Sequence, residues 1–244
     1  MATPRFFSPI KLSIGQHALL SENAATHATR VLRLKVGDSL TLFNGDGYDY
    51  FCELISLKKS EVMTIVKAQH LVNNVSCLNI QLLQGISSGE RMDYTIQKAV
   101  ELGVNSIQPL ATERSVVKLN QDRAEKRLHH WQNIAISACE QCGRALIPQV
   151  HAPLAIAEWL SRNPANNITR IQLNPIGAKK LSELTKPTGE IQLLIGAEGG
   201  LSAGEIKLVS QHNFHSVVLG PRILRTETAA LSAIAAMQTL WGDF

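Results

Sequence analysis

The chain has 244 residues, enough for one large domain or two small ones. Apolar residues make up 45% and charged residues 18%, which excludes a disordered or collagen-like chain. With 24 basic and 20 acidic residues the net charge is only +4. Residues 1–72 and the remainder each carry +2, so any basic surface must come from folding rather than from a charged tail.

The N-terminus, Met1-Ala2-Thr3-Pro4-Arg5-Phe6-Phe7, lacks the apolar core of a signal peptide. No later run reaches the ~18 apolar residues that a membrane span needs. The expectation is a soluble, cytoplasmic chain without a membrane partner. A short helix is predicted over 21–32. Residues 39–43 alternate toward the turn Asn44-Gly45-Asp46-Gly47, after which 48–55 resumes with aromatic and β-branched residues. Asn-Gly and Asp-Gly between such runs signal a hairpin. A third strand is predicted over 62–68. This first part reads as a small β-rich module, with the linker at 69–75.

Beyond Val75 the texture changes. Apolar runs of strand length at 78–84, 106–110, 168–173, 191–195 and 216–219 alternate with helical patterns at 90–102, 122–143, 154–161, 203–212 and 227–240. Alternation of this kind implies a mostly parallel sheet covered on both faces. The predicted domains are therefore 1–72 and 73–244. The last helix is apolar around much of its circumference, which suggests a partner helix beyond its own core. Cys139-Glu140-Gln141-Cys142 falls late in a helix, where positions i and i+3 share a face. Two small buried thiols explain the pair, and no metal is expected.

Open α/β sheets bind ligands outside the carboxyl ends of their strands. Three strand ends here carry unusual residues. Ile195 runs into Gly196-Ala197-Glu198-Gly199-Gly200, followed by Ser202 and Glu205 at the spacing of a helix capping box. Leu219 runs into Gly220-Pro221-Arg222-Ile223-Leu224-Arg225-Thr226-Glu227-Thr228, and Leu173 into Asn174-Pro175. Glycines after a strand let a ligand approach the main chain and leave amides free to bind it. The fingerprints of a Rossmann site, a P-loop and a nucleophile elbow are all absent.

The paired late motifs, with Glu90-Arg91-Met92-Asp93-Tyr94, residues 97–104, Thr112-Glu113-Arg114-Ser115 and Arg5-Phe6, closely resemble the SPOUT methyltransferases of the RsmE type. That resemblance spans the chain. It implies an α/β protein: a small PUA-like β-barrel followed by a SPOUT methyltransferase domain with a C-terminal trefoil knot. It also implies a homodimer using S-adenosylmethionine to methylate N3 of one uridine in 16S ribosomal RNA, free or in the small subunit. Leu173, Gly196, Glu198, Gly200, Leu219, Gly220, Ile223 and Leu224 are the expected donor-binding residues. Ala197 stands where many relatives have proline.

Methyl transfer to a ring nitrogen that carries a proton needs a base, or a cation that stabilises the forming anion. Arg225 is the candidate cation. Glu227 is the candidate to orient it or take the proton, with Arg114 and Glu113 as weaker candidates. Arg5, Arg30, Arg33 and Lys35 are the candidate phosphate contacts. The rival readings are a SPOUT enzyme acting on tRNA or a ribose 2'-oxygen, and an RNA-binding module without catalysis.

Overall fold

The computed structural model describes residues 3–58, 61–115, 121–164, 167–176 and 179–244. Two compact units emerge. One comprises Met1–Val75 together with Cys139–Ile147, the other Ser76–Ala138 with Pro148–Phe244. The break after Val75 falls three residues beyond the boundary drawn from sequence. The inclusion of 139–147 in the first unit has no counterpart in that reading.

In the first unit, β1 (Arg5–Phe7), β2 (His17–Leu19), β3 (Ser39–Phe43), β4 (Tyr48–Lys58) and β5 (Glu61–Leu71) form one sheet in the order β1-β3-β4-β5-β2. β1 lies parallel to β3; the other pairs are antiparallel. Alternation along β3 and β4 sends Leu40, Leu42 and Leu54 inward, where they are fully buried with Val62. The predicted hairpin turn forms because Gly45 and Gly47 adopt φ of 94° and 95°. Asp46 then accepts the Tyr48 amide at 3.0 Å and the Tyr50 hydroxyl at 2.7 Å. β1 and β2 escaped the sequence reading because three residues are too few to show a period. The predicted 21–32 helix begins as α1 (Glu22–Thr26), N-capped by Ser21, and continues as a π-helical turn over His27–Val31.

The second unit is built on β6 (Ile80–Gly85), α2 (Gly89–Glu101), β7 (Ser106–Ala111) and α3 (Gln121–Cys142), whose last turn belongs to the first unit. There follow β8 (Gln149–Val150), β9 (Leu154–Ala155), α4 (Ile156–Arg162), β10 (Thr169–Leu173), β11 (Lys179–Lys180), β12 (Ile191–Ile195), α5 (Ala203–Gln211), β13 (Phe214–Val218) and α6 (Thr226–Trp241). The strands are parallel in the order β11-β13-β10-β12-β6-β7-β8, with β9 also on β7. All five residues of β12 are buried, which is why it reads as a continuous apolar run. The predicted 154–161 helix starts two residues late, since Leu154 and Ala155 pair with β7 instead. A buried charge, unforeseen, sits in β10. The Arg170 guanidinium bonds Gln192 and the carbonyls of Asn163 and His212 beneath the rings of Trp159 and Phe214. Burial lowers its pKa.

Since β13, β10 and β12 are parallel neighbours, the loops after Leu173, Ile195 and Val218 gather at the carboxyl ends of the strands. β6, next to β12, adds the end of its own strand at Gly85.

Candidate functional site

Close packing sets the loop after β12. A Cβ on Gly85 would stand 2.3 Å from the Ala197 nitrogen, and one on Gly196 would stand 2.8 Å from the Gly200 carbonyl carbon. Both glycines are therefore required by contact. Gly200 is required by conformation, with φ of 68° and its N–H bonded to the Ala197 carbonyl at 2.8 Å. The expected capping box is formed: Ser202 Oγ accepts the Glu205 amide at 3.1 Å, and Glu205 Oε2 accepts the Ser202 amide at 2.8 Å. Glu205 Oε1 also accepts the Glu113 N–H at 2.9 Å, so this carboxylate ties the loop after β7 to the start of α5.

Two arginines grip the same loop. Arg114 donates to the Gly199 carbonyl at 3.0 Å and packs over its Cα, while Arg91 reaches Glu198 at 3.2 Å. Glu198 Oε1 also accepts the Ser88 amide at 2.8 Å, just ahead of α2. Burial opposes ionisation of Glu198, but the Ser88 and Arg91 hydrogen bonds outweigh it and hold the pKa below the usual carboxylate value. Glu198 Oε2 is buried without a hydrogen-bond partner among the described residues.

Between the three loops lies a cleft of about 250 Å³. Its wall contains all eight residues singled out as donor-binding: Leu173, Gly196, Glu198, Gly200, Leu219, Gly220, Ile223 and Leu224. Arg222 and Thr226 also line it; sequence reasoning passed over both, although they stand within the motif it had marked. Arg225 is not part of the wall. It is exposed at the N-cap of α6, while Glu227 sits in the first turn with Oε2 buried and without a hydrogen-bond partner among the described residues.

The candidate phosphate contacts divide. Arg30, Arg33 and Lys35 are exposed on and just after the π-helical turn, and Arg33 holds φ of 55°, an uncommon conformation for a residue with a side chain. Arg5 is instead half-buried and engaged within the chain. Its guanidinium bonds Asp49 at 2.7 Å and the carbonyls of Cys139 and Arg144 at 2.6 and 3.0 Å, and stacks 3.8 Å over Phe43. Four of its five N–H groups are thereby engaged inside the first unit, which makes Arg5 less available to a phosphate than the three exposed cations. The thiol pair is in part as expected: Cys139 is buried, with its pKa pushed to about 12 by burial, and Cys142 is half-buried. No group of three or more potential metal ligands occurs among the described residues, and no described helix is long and apolar enough to cross a membrane.

Comparison with known proteins decides the family. The RNA methyltransferase domain matches residues 74–238, and the RNA methyltransferase PUA domain matches residues 20–66. This chain belongs to the RNA methyltransferase family. Within the family it is 40% identical to the ribosomal RNA small subunit methyltransferase E of Buchnera aphidicola subsp. Schizaphis graminum, over 98% of this chain and 97% of the relative. The crystal structure of ribosomal RNA small subunit methyltransferase E from Neisseria gonorrhoeae bound to S-adenosyl methionine matches with a TM-score of 0.92 at 44% identity over the whole of both chains. A putative methyltransferase from Legionella pneumophila, also solved with S-adenosyl methionine, matches with a TM-score of 0.95 at 40% identity and the same coverage. The architecture of this RNA methyltransferase is thus a PUA-like domain followed by a SPOUT α/β domain, as the motifs implied.

Proposed function

We propose that this RNA methyltransferase transfers the methyl group of S-adenosylmethionine to N3 of one uridine in 16S ribosomal RNA of the small subunit. The observation that carries the reading is the cleft itself: three loops far apart in sequence close on one volume, and every residue chosen from the motifs for donor binding stands in its wall. The residues suit that ligand. A Cβ on Gly200 or Gly220 would meet nothing within 4 Å, so main chain borders open space there, while Leu219 and Leu224 offer apolar cover for a purine. Glu198 adds a buried carboxylate oxygen without a partner for a cationic or N–H-bearing group.

When bound, S-adenosylmethionine supplies an electrophilic methyl group on a sulfonium. The remaining work belongs to the chain. N3 of uridine carries a proton at neutral pH, and its lone pair becomes available only as that proton leaves. Arg225, at the N-cap of α6 and exposed toward a substrate, stabilises the forming uridine anion through a carbonyl beside N3. Glu227, with an uncommitted carboxylate oxygen in the first turn, takes the proton. Arg30, Arg33 and Lys35 hold RNA phosphates without reading bases. The near full-length match to small-subunit rRNA enzymes favours this substrate over tRNA or a ribose 2'-oxygen, and the cleft favours catalysis over a purely RNA-binding role.

The same reading includes a cytoplasmic homodimer and a trefoil knot formed where the chain leaves β13, beyond β10, and returns to start α6 beside Gly196. Leu240 on α6 is 46% exposed and Tyr94 on α2 is 49% exposed, which leaves apolar surface for a second copy. Ile234 and Met237 are fully buried in the chain's own core, so a charge at either would unfold it rather than split a dimer. Leu240→Glu is the informative variant, read by sedimentation. The decisive experiment on function maps methylated nucleosides in 16S rRNA from cells with and without the protein. Loss of a single N3-methyluridine, restored by complementation, is expected; an unchanged methylation map overturns the reading.

A further inference from the structure

Thr226 is the first helical residue of α6, and only 7% of its surface is exposed. Its hydroxyl oxygen lies 2.6 Å from the Gly196 carbonyl and 2.9 Å from Gln84 Nε2. A carbonyl oxygen can only accept, so the single hydroxyl proton goes to Gly196. The Thr226 oxygen is then an acceptor toward Gln84, which must present its NH₂ there. The other Gln84 hydrogen goes to the carbonyl of Gly85 at 3.0 Å. The reverse orientation of that amide would set its oxygen against two acceptors. Gln84 Oε1 in consequence is buried without a hydrogen-bond partner among the described residues, a cost accepted to keep the donors aimed this way. Every proton in the chain Gln84–Thr226–Gly196 is thereby assigned by geometry. The network joins the ends of β6 and β12 to the first turn of α6, next to Arg225 and Glu227.

We propose that Thr226 is a positioning residue, its hydroxyl locking the glycine loop of the donor cleft in register with the α6 terminus that carries Arg225 and Glu227. The proposal rests on the reading that this cleft holds S-adenosylmethionine and that α6 supplies the catalytic groups. Neither Thr226 nor Gln84 performs chemistry. Gly196 sets the floor of the cleft, and Thr226 starts the helix whose N-cap is Arg225, so one hydroxyl fixes the separation of the two reacting partners. Misplacement by a fraction of an ångström lowers the methyl-transfer rate itself, which is the kind of loss positioning defects produce.

Thr226→Val keeps the shape and removes the hydroxyl. At saturating S-adenosylmethionine, its single-turnover methylation of small ribosomal subunits is expected to fall roughly 10- to 100-fold. Thr226→Ser, which keeps the hydroxyl, should recover most of that rate. A purely structural role would lower the melting temperature of the Val variant and leave its rate at saturation unchanged; that result overturns the proposal. If the Val variant does not fold, Gln84→Met, which removes only the supporting amide, decides between a lowered rate that supports the proposal and an unchanged one that overturns it. Wild-type protein that neither binds S-adenosylmethionine by calorimetry nor methylates the subunit overturns the underlying reading, and this proposal with it. An active wild type with unimpaired variants overturns this proposal alone.

Discussion

Arginine plays four different parts in this chain, and surroundings rather than residue type decide which. Arg170 is a buried staple, Arg114 a loop clasp, Arg5 a tie within the first unit, and Arg225 an exposed cation at a helix start. Arg225→Ala should bind S-adenosylmethionine nearly as well as wild type yet lose on the order of 100-fold in methyl transfer, because a cation facing a sulfonium gains nothing from it while a forming anion does. Arg225→Lys should recover only part, since a point charge cannot reproduce the planar fork. Single-turnover kinetics at saturating donor checks both; weakened donor binding with an unchanged rate would make Arg225 a donor-binding residue. For Arg170, replacement by Leu strands the buried Gln192 acceptor and two half-buried carbonyls, so urea denaturation should report a loss of about 3 kcal/mol.

At the scale of elements, the loop after β12 is held from several sides, and one attachment is ionic. A carboxyl whose folded pKa lies below its unfolded value stabilises the fold above the unfolded value and loses that contribution as pH falls through the folded one. Glu198 is such a group. Donor affinity should therefore hold as pH drops through the ordinary glutamate range and decline only in stronger acid. Arg91→Ala, which removes one cause of the depression, should move that decline to higher pH. Calorimetric titration across pH checks the order of the two profiles. Much of this loop was legible in the sequence, because glycines after a strand and Ser202 three residues before Glu205 are local signals. The Gln84–Thr226 bond was not: its partners are 142 residues apart, and no local pattern announces a contact of that span. The internal bonds of Arg5 were hidden for the same reason, its carbonyl partners lying 134 and 139 residues downstream. The helical position of Cys139 and Cys142, by contrast, was readable from spacing alone. Their double alanine variant should keep its turnover and contain no zinc by elemental analysis, losing only core stability.

At the scale of the whole molecule, the two units are not consecutive pieces of chain. The sequence placed a boundary at 72 because texture changes there, and texture reports only neighbours in sequence. Folding instead returns Cys139–Ile147 to the first unit. There Arg5 donates to the Cys139 carbonyl, which also accepts the Gly143 N–H at 3.1 Å, the Phe7 amide donates to Glu140 Oε1 at 2.9 Å, and Asn74 donates to the Gly143 carbonyl. Ile147 and Leu146 lie against Gly45 and Gly47 of the hairpin turn. A fragment ending at residue 75 keeps every strand of the sheet but loses these partners. Its Arg5, 10% exposed in the whole chain, would keep Asp49 and the Phe43 ring but lose both carbonyl acceptors. Such a fragment should therefore show a broad, early thermal transition and poorly dispersed amide resonances around residues 5–7 and 44–50. Joining 139–147 back through a flexible linker should sharpen the transition, and Arg5→Ala in that fusion should cancel much of the gain. If the fragment alone melts as sharply and as high as the fusion, the returning segment contributes nothing to the first unit, and the simpler division at residue 72 describes how this chain folds.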